Sequence, residues 1–340
     1  MANRLKSPSP AASPIHASAT TEYPPRLQRE ERLCQQLIAL IEQGINPWRK
    51  PWNASSSGKH RNLITSRPYQ GSNPALLELQ LHLRESDLPL WIGFHQAAQQ
   101  GWHPRRGSHG CLIYKPMLLA ASTKPHRAVQ EEGNSDSKED SRESTPVVSF
   151  RPTLVFHAAD LQDAPAAKRP SDHRPIAAAI EAALAEARPR PLPERLAAAE
   201  QQLSNWPVPL HTSGDRACYI PSCDQIHLPP QTAFHTPEAF LATWAHEQIH
   251  STGHPNRLNR EGVRLEPSID RHVYAREELI AELGAFLLTQ RLDINSDVAN
   301  HAAYLQEWAT LLGQGPRQLT SVLSAATRAA NLLCPERSNS

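Results

Sequence analysis

The chain has 340 residues, room for two domains that each bury a core; hydrophobic residues make up 39% of it and charged residues 20%. No apolar run approaches the roughly 20 residues that a membrane-spanning helix needs, which excludes that class. The formal net charge is only +1, so any attraction to nucleic acid must come from local asymmetry and not from bulk charge. Five cysteines (Cys34, Cys111, Cys218, Cys223 and Cys334) are scattered, odd in number and without a CxxC pair, the pattern of reduced thiols and not of a disulfide scaffold. With no apolar segment near the start to act as a signal, a cytoplasmic protein is expected.

In chain order, residues 1–25 are rich in Ser, Ala and Pro and predict a disordered tail. Leu33, Leu37, Leu40 and Ile41 then recur at helical spacing, and Gly44 follows as a C-cap, so a first amphipathic helix runs from Leu27 to Gly44. Residues 120–146 are polar, charged and aperiodic and read as an exposed insertion; the β-branched and aromatic VVSFRPTLVF after them reads as a strand. Pro, Ala, Lys and Arg between Asp163 and Pro175, followed by an Ala-rich helix at Ile176–Ala187, mark a linker region. The expected division is a first domain over 26–165, a linker and helix over 166–195, a second domain over 196–334 and a short tail over 335–340. The fold class expected is α+β in two domains.

Between residues 26 and 121, twelve basic residues stand against six acidic ones, the local asymmetry that single-strand binding requires. Cations and aromatics interleave at Trp48-Arg49-Lys50-Pro51-Trp52 and again around Tyr69, Trp91, Phe94 and Trp102. Trp91 and Phe94 lie on the apolar side of a helix-like run and are expected in the core. Arg49, Lys50, Arg61, Arg105 and Arg106 are the candidates for phosphate contact.

The sharpest chemical signal is His246-Glu247-Gln248-Ile249-His250, preceded by the helix-compatible PEAFLATWA with Thr236 as N-cap. Residues four apart share a helix face, so both imidazoles can reach one metal while Glu247 addresses a water beside it. An HExxH string arises by chance at about the 5% level in a chain this rich in histidine, so a third ligand decides the matter. His254 stands four residues beyond His250, but the metzincin pattern places its histidine two positions later and needs a downstream methionine; Met1 and Met117 both lie upstream. The amphipathic segment YAREELIAELGAFLL offers Glu278 and Glu282 one turn apart, a gluzincin-like arrangement in which Glu278 is the ligand and Glu282 orients a ligand histidine. The set His246, His250 and Glu278 predicts one Zn²⁺, with Glu247 as general base. For a proton donor, Tyr274, His254 and His272 are equal candidates. Just upstream, Ala217–Ile220 and Gln225–Pro229 read as the two short strands of a hairpin around Pro221–Asp224, able to hold an extended peptide; His227 reads as a surface strand residue, and Cys218 and Cys223 lack the partner pair of a zinc site.

CYIPSCDQIHLPPQTAFHTPEAFLATWAHEQIHSTGHPNRLNRE, followed by YAREELIAELGAFLL, resembles the zincin-like metallopeptidase domain of ArdC-type antirestriction proteins. RLCQQLIALIEQGINPWRKPWN, RNLITSRPYQGSNPALLELQ, LPLWIGFHQAAQQGWHPRRGSHGCLIYK and LVFHAADLQD resemble, in the same order, that family's N-terminal single-stranded-DNA-binding domain. Gln248 departs from the apolar residue usual after HE, and Ser108-His109 from a charged pair in the basic turn. The resemblance implies a zinc metallopeptidase of a mobile element that binds single-stranded DNA, acts on an unknown protein or peptide and protects incoming DNA from restriction. A non-proteolytic DNA-binding or plasmid primase accessory protein with a structural or vestigial zinc site is the alternative.

Overall fold

The computed structural model describes residues 25–46, 48, 59–119, 147–264, 270–294 and 304–336. The expected tail over 1–25 and insertion over 120–146 fall outside them almost entirely, as do Arg49, Lys50 and Trp52. In chain order the elements are α1 (Pro25–Glu42), β1 (Arg61–Asn62), α2 (Asn73–His82), β2 (Leu90–Gly93), α3 (Phe94–Gln99), β3 (Trp102–Pro104), β4 (Cys111–Leu119), β5 (Val147–His157), β6 (Leu161–Asp163), α4 (Ile176–Glu186), α5 (Leu192–Ser204), β7 (Leu210–Thr212), β8 (Cys218–Ile220), β9 (Gln225–Leu228), α6 (Pro237–Ser251), α7 (Glu261–Arg264), α8 (Arg271–Leu292), α9 (Leu305–Gly313) and α10 (Pro316–Leu333). This is the α+β architecture expected.

The first body is built on a four-stranded sheet in the order β1-β2-β5-β4, with β1 parallel to β2 and the remaining pairs antiparallel. β2 is covered on both faces. Leu90 and Ile92 pack with Leu63, Ala97, Trp102 and, from α4, Ala179 and Ala183, while Trp91 packs the other way against Leu77 and Leu81 of α2. The helix expected in the linker thus closes one face of this sheet. Trp91 takes a buried place on a strand, not on a helix; its indole donates to His60 Nδ1 at 3.1 Å. An indole can only donate, so His60 must carry its proton on Nε2, which lies 2.9 Å from the buried Glu78 carboxylate. Phe94 corrects the core expectation: at the start of α3 it is 50% exposed and lies 6.2 Å from the Phe156 ring. Trp48 and Trp102 are buried at 3% and 1%, so neither offers a face for base stacking.

The second body is a helical core under a three-stranded sheet in the order β7-β9-β8. The predicted hairpin is present as the antiparallel pair β8–β9. Ile226 and Leu228 of β9 face the core, whose centre is the packing of α6 against α8. Thr236 caps α6 by accepting from the Ala239 N–H, and Asp270 caps α8 by accepting from His272 and Val273. The buried face of helix α1, Leu33, Leu37, Leu40 and Ile41, joins the core that α8, α9 and α10 contribute to, as does Trp48. Its amphipathic period was legible in the sequence, and its partner was not.

α6 and α8 approach closely because α8 carries glycine where they touch. A Cβ at Gly284 would stand 2.8 Å from Ile249 Cγ2 and 3.0 Å from its Cδ1, and Ile249 is fully buried. Gly284→Ala gains about 1 kcal/mol of helix propensity but forces overpacking that costs roughly 1–3 kcal/mol. The overpacking wins, because Ile249 has nowhere to move. Urea unfolding should show lower stability for the variant, and metal titration a weaker site, since the same contact sets the distance between the two helices.

Candidate metal centre

Helical spacing brings His246 and His250 to one face of α6, and the adjoining face of α8 presents Glu278. Among the described residues, donor atoms of His246, His250 and Glu278 lie within 4.8 Å of one another. The two Nε2 atoms are 3.1 Å apart; Glu278 Oε2 lies 3.7 Å from His246 Nε2, and its Oε1 3.6 Å from His250 Nε2. Two ligands at about 2.0–2.1 Å from a tetrahedral ion are about 3.3 Å apart, so the set already has nearly the bite such an ion needs. Two nitrogens and one carboxylate are the donor set of a catalytic zinc-type site, with a coordination position left for water.

Glu277, Glu278 and Glu282 are 2%, 3% and 3% exposed, which rules out a merely solvated acidic face on α8. Buried carboxylates require partners. Glu277 finds two: its Oε1 lies 3.2 Å from His250 Nδ1, and Arg260 holds both its oxygens, Nε to Oε2 at 2.8 Å and Nη2 to Oε1 at 2.7 Å. Arg260 also donates to the Thr252 hydroxyl and to the Ile249 carbonyl at the C-terminal end of α6. The Arg260–Glu277 pair thus fixes the ring of His250 with Nε2 facing the other ligands. Sequence reasoning missed this. Glu277 is one residue from Glu278 and so points elsewhere on the helix; its partner lies in the loop after α6. Glu282, expected to orient a ligand histidine, stands nearest His246: its Oε2 lies 4.0 Å from His246 Nδ1, beyond hydrogen-bond distance, and Asn46, beyond the end of α1, donates to Glu282 Oε1 at 2.7 Å.

Glu247 is buried beside the ligands. Desolvation pushes its carboxyl above the ordinary range, against the opposing pull of His246 and His250, and the backbone N–H of Tyr219 on β8 donates to it. Burial would lower His250, but Glu278, Glu277 and Glu247 outweigh it and hold the imidazole up at about 9. Burial would raise Glu278, yet His250 and His246 bring it well below the usual carboxylate range. A cation entering here therefore displaces a proton. The cleft over these groups, about 760 Å³, is lined by Cys218 to Ser222, His254, Tyr274 and Tyr304. Of the three candidate proton donors, Tyr274 and His254 reach the cleft and His272 does not line it. Tyr274 stays protonated, since burial and the Glu278 charge raise it, and its hydroxyl bonds to Glu278. Gln248 points the other way, donating to the Leu203 carbonyl of α5 at 2.7 Å, so the departure at this position anchors α6 from behind.

The basic candidates are dispersed. Arg61 on β1 donates to the Ser66 carbonyl, and Arg105, after β3, donates to the Leu161 carbonyl. Arg106 is exposed in the turn after it. In that turn Ser108 bonds to the Asp160 carbonyl, a neutral contact in place of a charged pair.

A family model described as a zincin-like metallopeptidase matches residues 197–328, and one described as the N-terminal domain of the anti-restriction factor ArdC matches residues 28–156. Crystal structures of the antirestriction ArdC protein from the R388 plasmid, one metal-free and one with Mn(II) bound, are similar over 89% of this chain and 96% of theirs, with TM-scores of 0.60 and 0.59 at 28% identity. An Escherichia coli protein named DNA primase TraC is 31% identical over 295 residues, which is 85% of this chain but 25% of TraC. The chain thus spans about a quarter of the length of that relative. Fold and site together define a two-domain protein whose second domain is a zincin-like metallopeptidase domain. The chain belongs to the ArdC-type antirestriction family.

Glu277→Gln keeps the shape of the side chain but removes the charge that Arg260 and His250 share. Metal affinity should fall roughly 10–100-fold, with lower stability as Arg260 is left without its counter-ion. Isothermal titration with Zn²⁺ and urea unfolding measure the two effects; unchanged affinity would assign Glu277 a purely structural role.

Proposed function

We propose that this chain is a zinc-dependent peptidase joined to a single-stranded-DNA-binding domain, acting for a mobile element to protect incoming DNA. The observation that carries the reading is the convergence of His246, His250 and Glu278 beside Glu247, in a cleft bordered by the edge strand β8. His246, His250 and Glu278 would hold the metal, which when bound supplies Lewis acidity to a water and to a peptide carbonyl.

The protein's own groups support the remainder of the reaction. Glu247 accepts the proton of the attacking water and returns it to the leaving nitrogen; burial raises its pKa, which favours holding the proton between the two exchanges. The Tyr219 N–H aims the Glu247 carboxylate and places strand β8 next to it. β8 lies at the sheet edge, where an extended peptide can add as a further strand. The hydroxyl of Tyr274, protonated at neutral pH, can donate to the developing oxyanion.

Glu247→Gln should retain metal and fold yet lose hydrolysis by several orders of magnitude, because the amide neither accepts nor returns the proton. Peptide cleavage and protection of incoming DNA should be measured on the same variant. Cleavage undiminished in the variant overturns the mechanism; protection without cleavage separates the two activities and assigns antirestriction to the DNA-binding half.

The DNA reading rests on the basic surplus of the first body together with the exposed Phe94 and Arg106. Reversal of Arg49, Lys50 and Arg106 to Glu in the full chain should lower single-strand affinity at low salt, flattening the log–log salt dependence by about 0.7 for each phosphate no longer neutralised. Gel-shift titrations at several salt concentrations read this, and an unchanged slope removes these residues from the interface. The relationship to TraC favours a second reading, an accessory module of priming. Under that reading Glu247→Gln would be silent in every assay of DNA transfer.

A further inference from the structure

The loop that follows α6 presents two arginines to different partners, and Arg260 alone serves the metal ligands described above. Arg257 reaches the sheet. Its Nε donates to the carbonyl of Ser251, the last residue of α6, at 2.7 Å, and its two terminal nitrogens hold both oxygens of Asp224, Nη1 to Oδ2 at 3.0 Å and Nη2 to Oδ1. Nη2 also donates to the Tyr219 hydroxyl at 3.2 Å, and that hydroxyl donates to Asp224 Oδ1 at 2.7 Å. Asp224 lies in the turn between β8 and β9, and Tyr219 is the middle residue of β8. The guanidinium rests over the ring of Trp206, 5.7 Å from its centroid, and the Trp206 indole donates to the Ser251 hydroxyl at 2.8 Å.

We propose that Arg257 is a positioning residue of the cleft: through Asp224 and Tyr219 it locks the edge strand β8 to the C-terminal end of α6 and so fixes the wall that faces Glu247. The catalytic consequence rests on the peptidase reading; the brace itself rests on geometry alone. Tyr219 is gripped at two points. Its backbone N–H donates to Glu247, and its hydroxyl joins the Arg257–Asp224 pair that is bound to Ser251. Glu247 and Ser251 are four residues apart, about 6 Å along the helix, so the two attachments fix both the distance and the tilt of β8 against α6. One attachment would leave the strand free to pivot.

The brace stands on a rigid base and needs the arginine fork. The loop closes on itself and on α6, with the Leu258 N–H on the Thr252 carbonyl and the Arg260 N–H on the Gly253 carbonyl, each at 2.9 Å. The Arg257 guanidinium holds the Asp224 carboxyl below the usual carboxylate range, so the pair stays charged at neutral pH. A lysine would keep the charge, but one ammonium cannot grip both carboxylate oxygens, the tyrosine hydroxyl and the Ser251 carbonyl as a planar fork does. None of these bonds reaches His246, His250 or Glu278, so β8 can loosen while the metal site stays intact.

Arg257→Lys and Asp224→Asn in the full-length protein test the assignment. Hydrogen exchange read by mass spectrometry should quicken about tenfold or more in the peptide spanning β8, with α6 and α8 unchanged, and Zn²⁺ affinity by isothermal titration should stay at the wild-type value. On the best-cleaved member of a quenched fluorogenic peptide library, kcat should fall roughly 10–100-fold and KM change less, as expected when a catalytic group is misplaced by about 1 Å. The double variant should be no worse than either single one, because both break the same device. The exchange measurement needs no substrate. Unchanged exchange in β8, or exchange that rises equally through α6 and α8, overturns the proposal whether or not any peptide is cleaved; so does an unchanged kcat in a variant whose β8 has loosened. A loosened β8 in the variants with no cleavage by the wild type would instead bear out the brace and overturn the peptidase reading.

Discussion

The packing of α6 against α8 governs the rest of this structure. A metal centre assembled from two helices works only if the helices lie close and in register, and here the closeness comes from Gly284 lying against Ile249. Within two turns of that contact on either helix stand the groups that must meet. His246 and His250 project from α6, Glu278 from α8, and their donor atoms come within 4.8 Å. The wall behind them is made rigid by a buried ion pair, Arg260 with Glu277, whose desolvation is offset by the hydrogen bonds that one guanidinium donates to Glu277, Thr252 and Ile249. Such a pair contributes little net stability but gives a unique orientation, which is what a ligand histidine requires.

Each histidine is controlled from a different part of the chain. His250 is held by Glu277 and through it by the loop that follows α6. His246 faces Glu282, which is held by Asn46 in the segment between α1 and the basic WRKPW stretch. A residue just after α1, Asn46, thus holds the carboxylate of Glu282 beside the metal centre. The general base receives a third input, from the edge strand that borders the cleft.

Much of this was legible in the sequence wherever the information is local. The HExxH helix, its Thr236 cap, the one-turn spacing of Glu278 and Glu282 and the β8–β9 hairpin all follow from short-range periodicity and turn chemistry. What could not be read was the identity of partners far apart in the chain: Arg260 for Glu277, Asn46 for Glu282, and Leu203 for Gln248. The aromatics show the same limit. Interleaving with cations suggested a stacking surface, but Trp48, Trp91 and Trp102 are buried, and only the fold shows that Phe94 is not. Composition tells which side chains can stack on a base, and burial decides which are free to do so.

The placement of α1 bears on how this protein can be taken apart. Leu33, Leu37, Leu40 and Ile41 bury their surface in the core where α1 packs on α9 and α10, although the helix precedes the basic segment in the chain. A fragment ending after the four-stranded sheet would carry α1 with its apolar stripe exposed to water, a sticky surface that the whole molecule keeps covered. A fragment beginning at α5 would leave the matching groove open and Glu282 without Asn46. Each half, once separated, acquires a property that neither has in the intact chain, so activity assigned to an isolated piece would in part describe the cut.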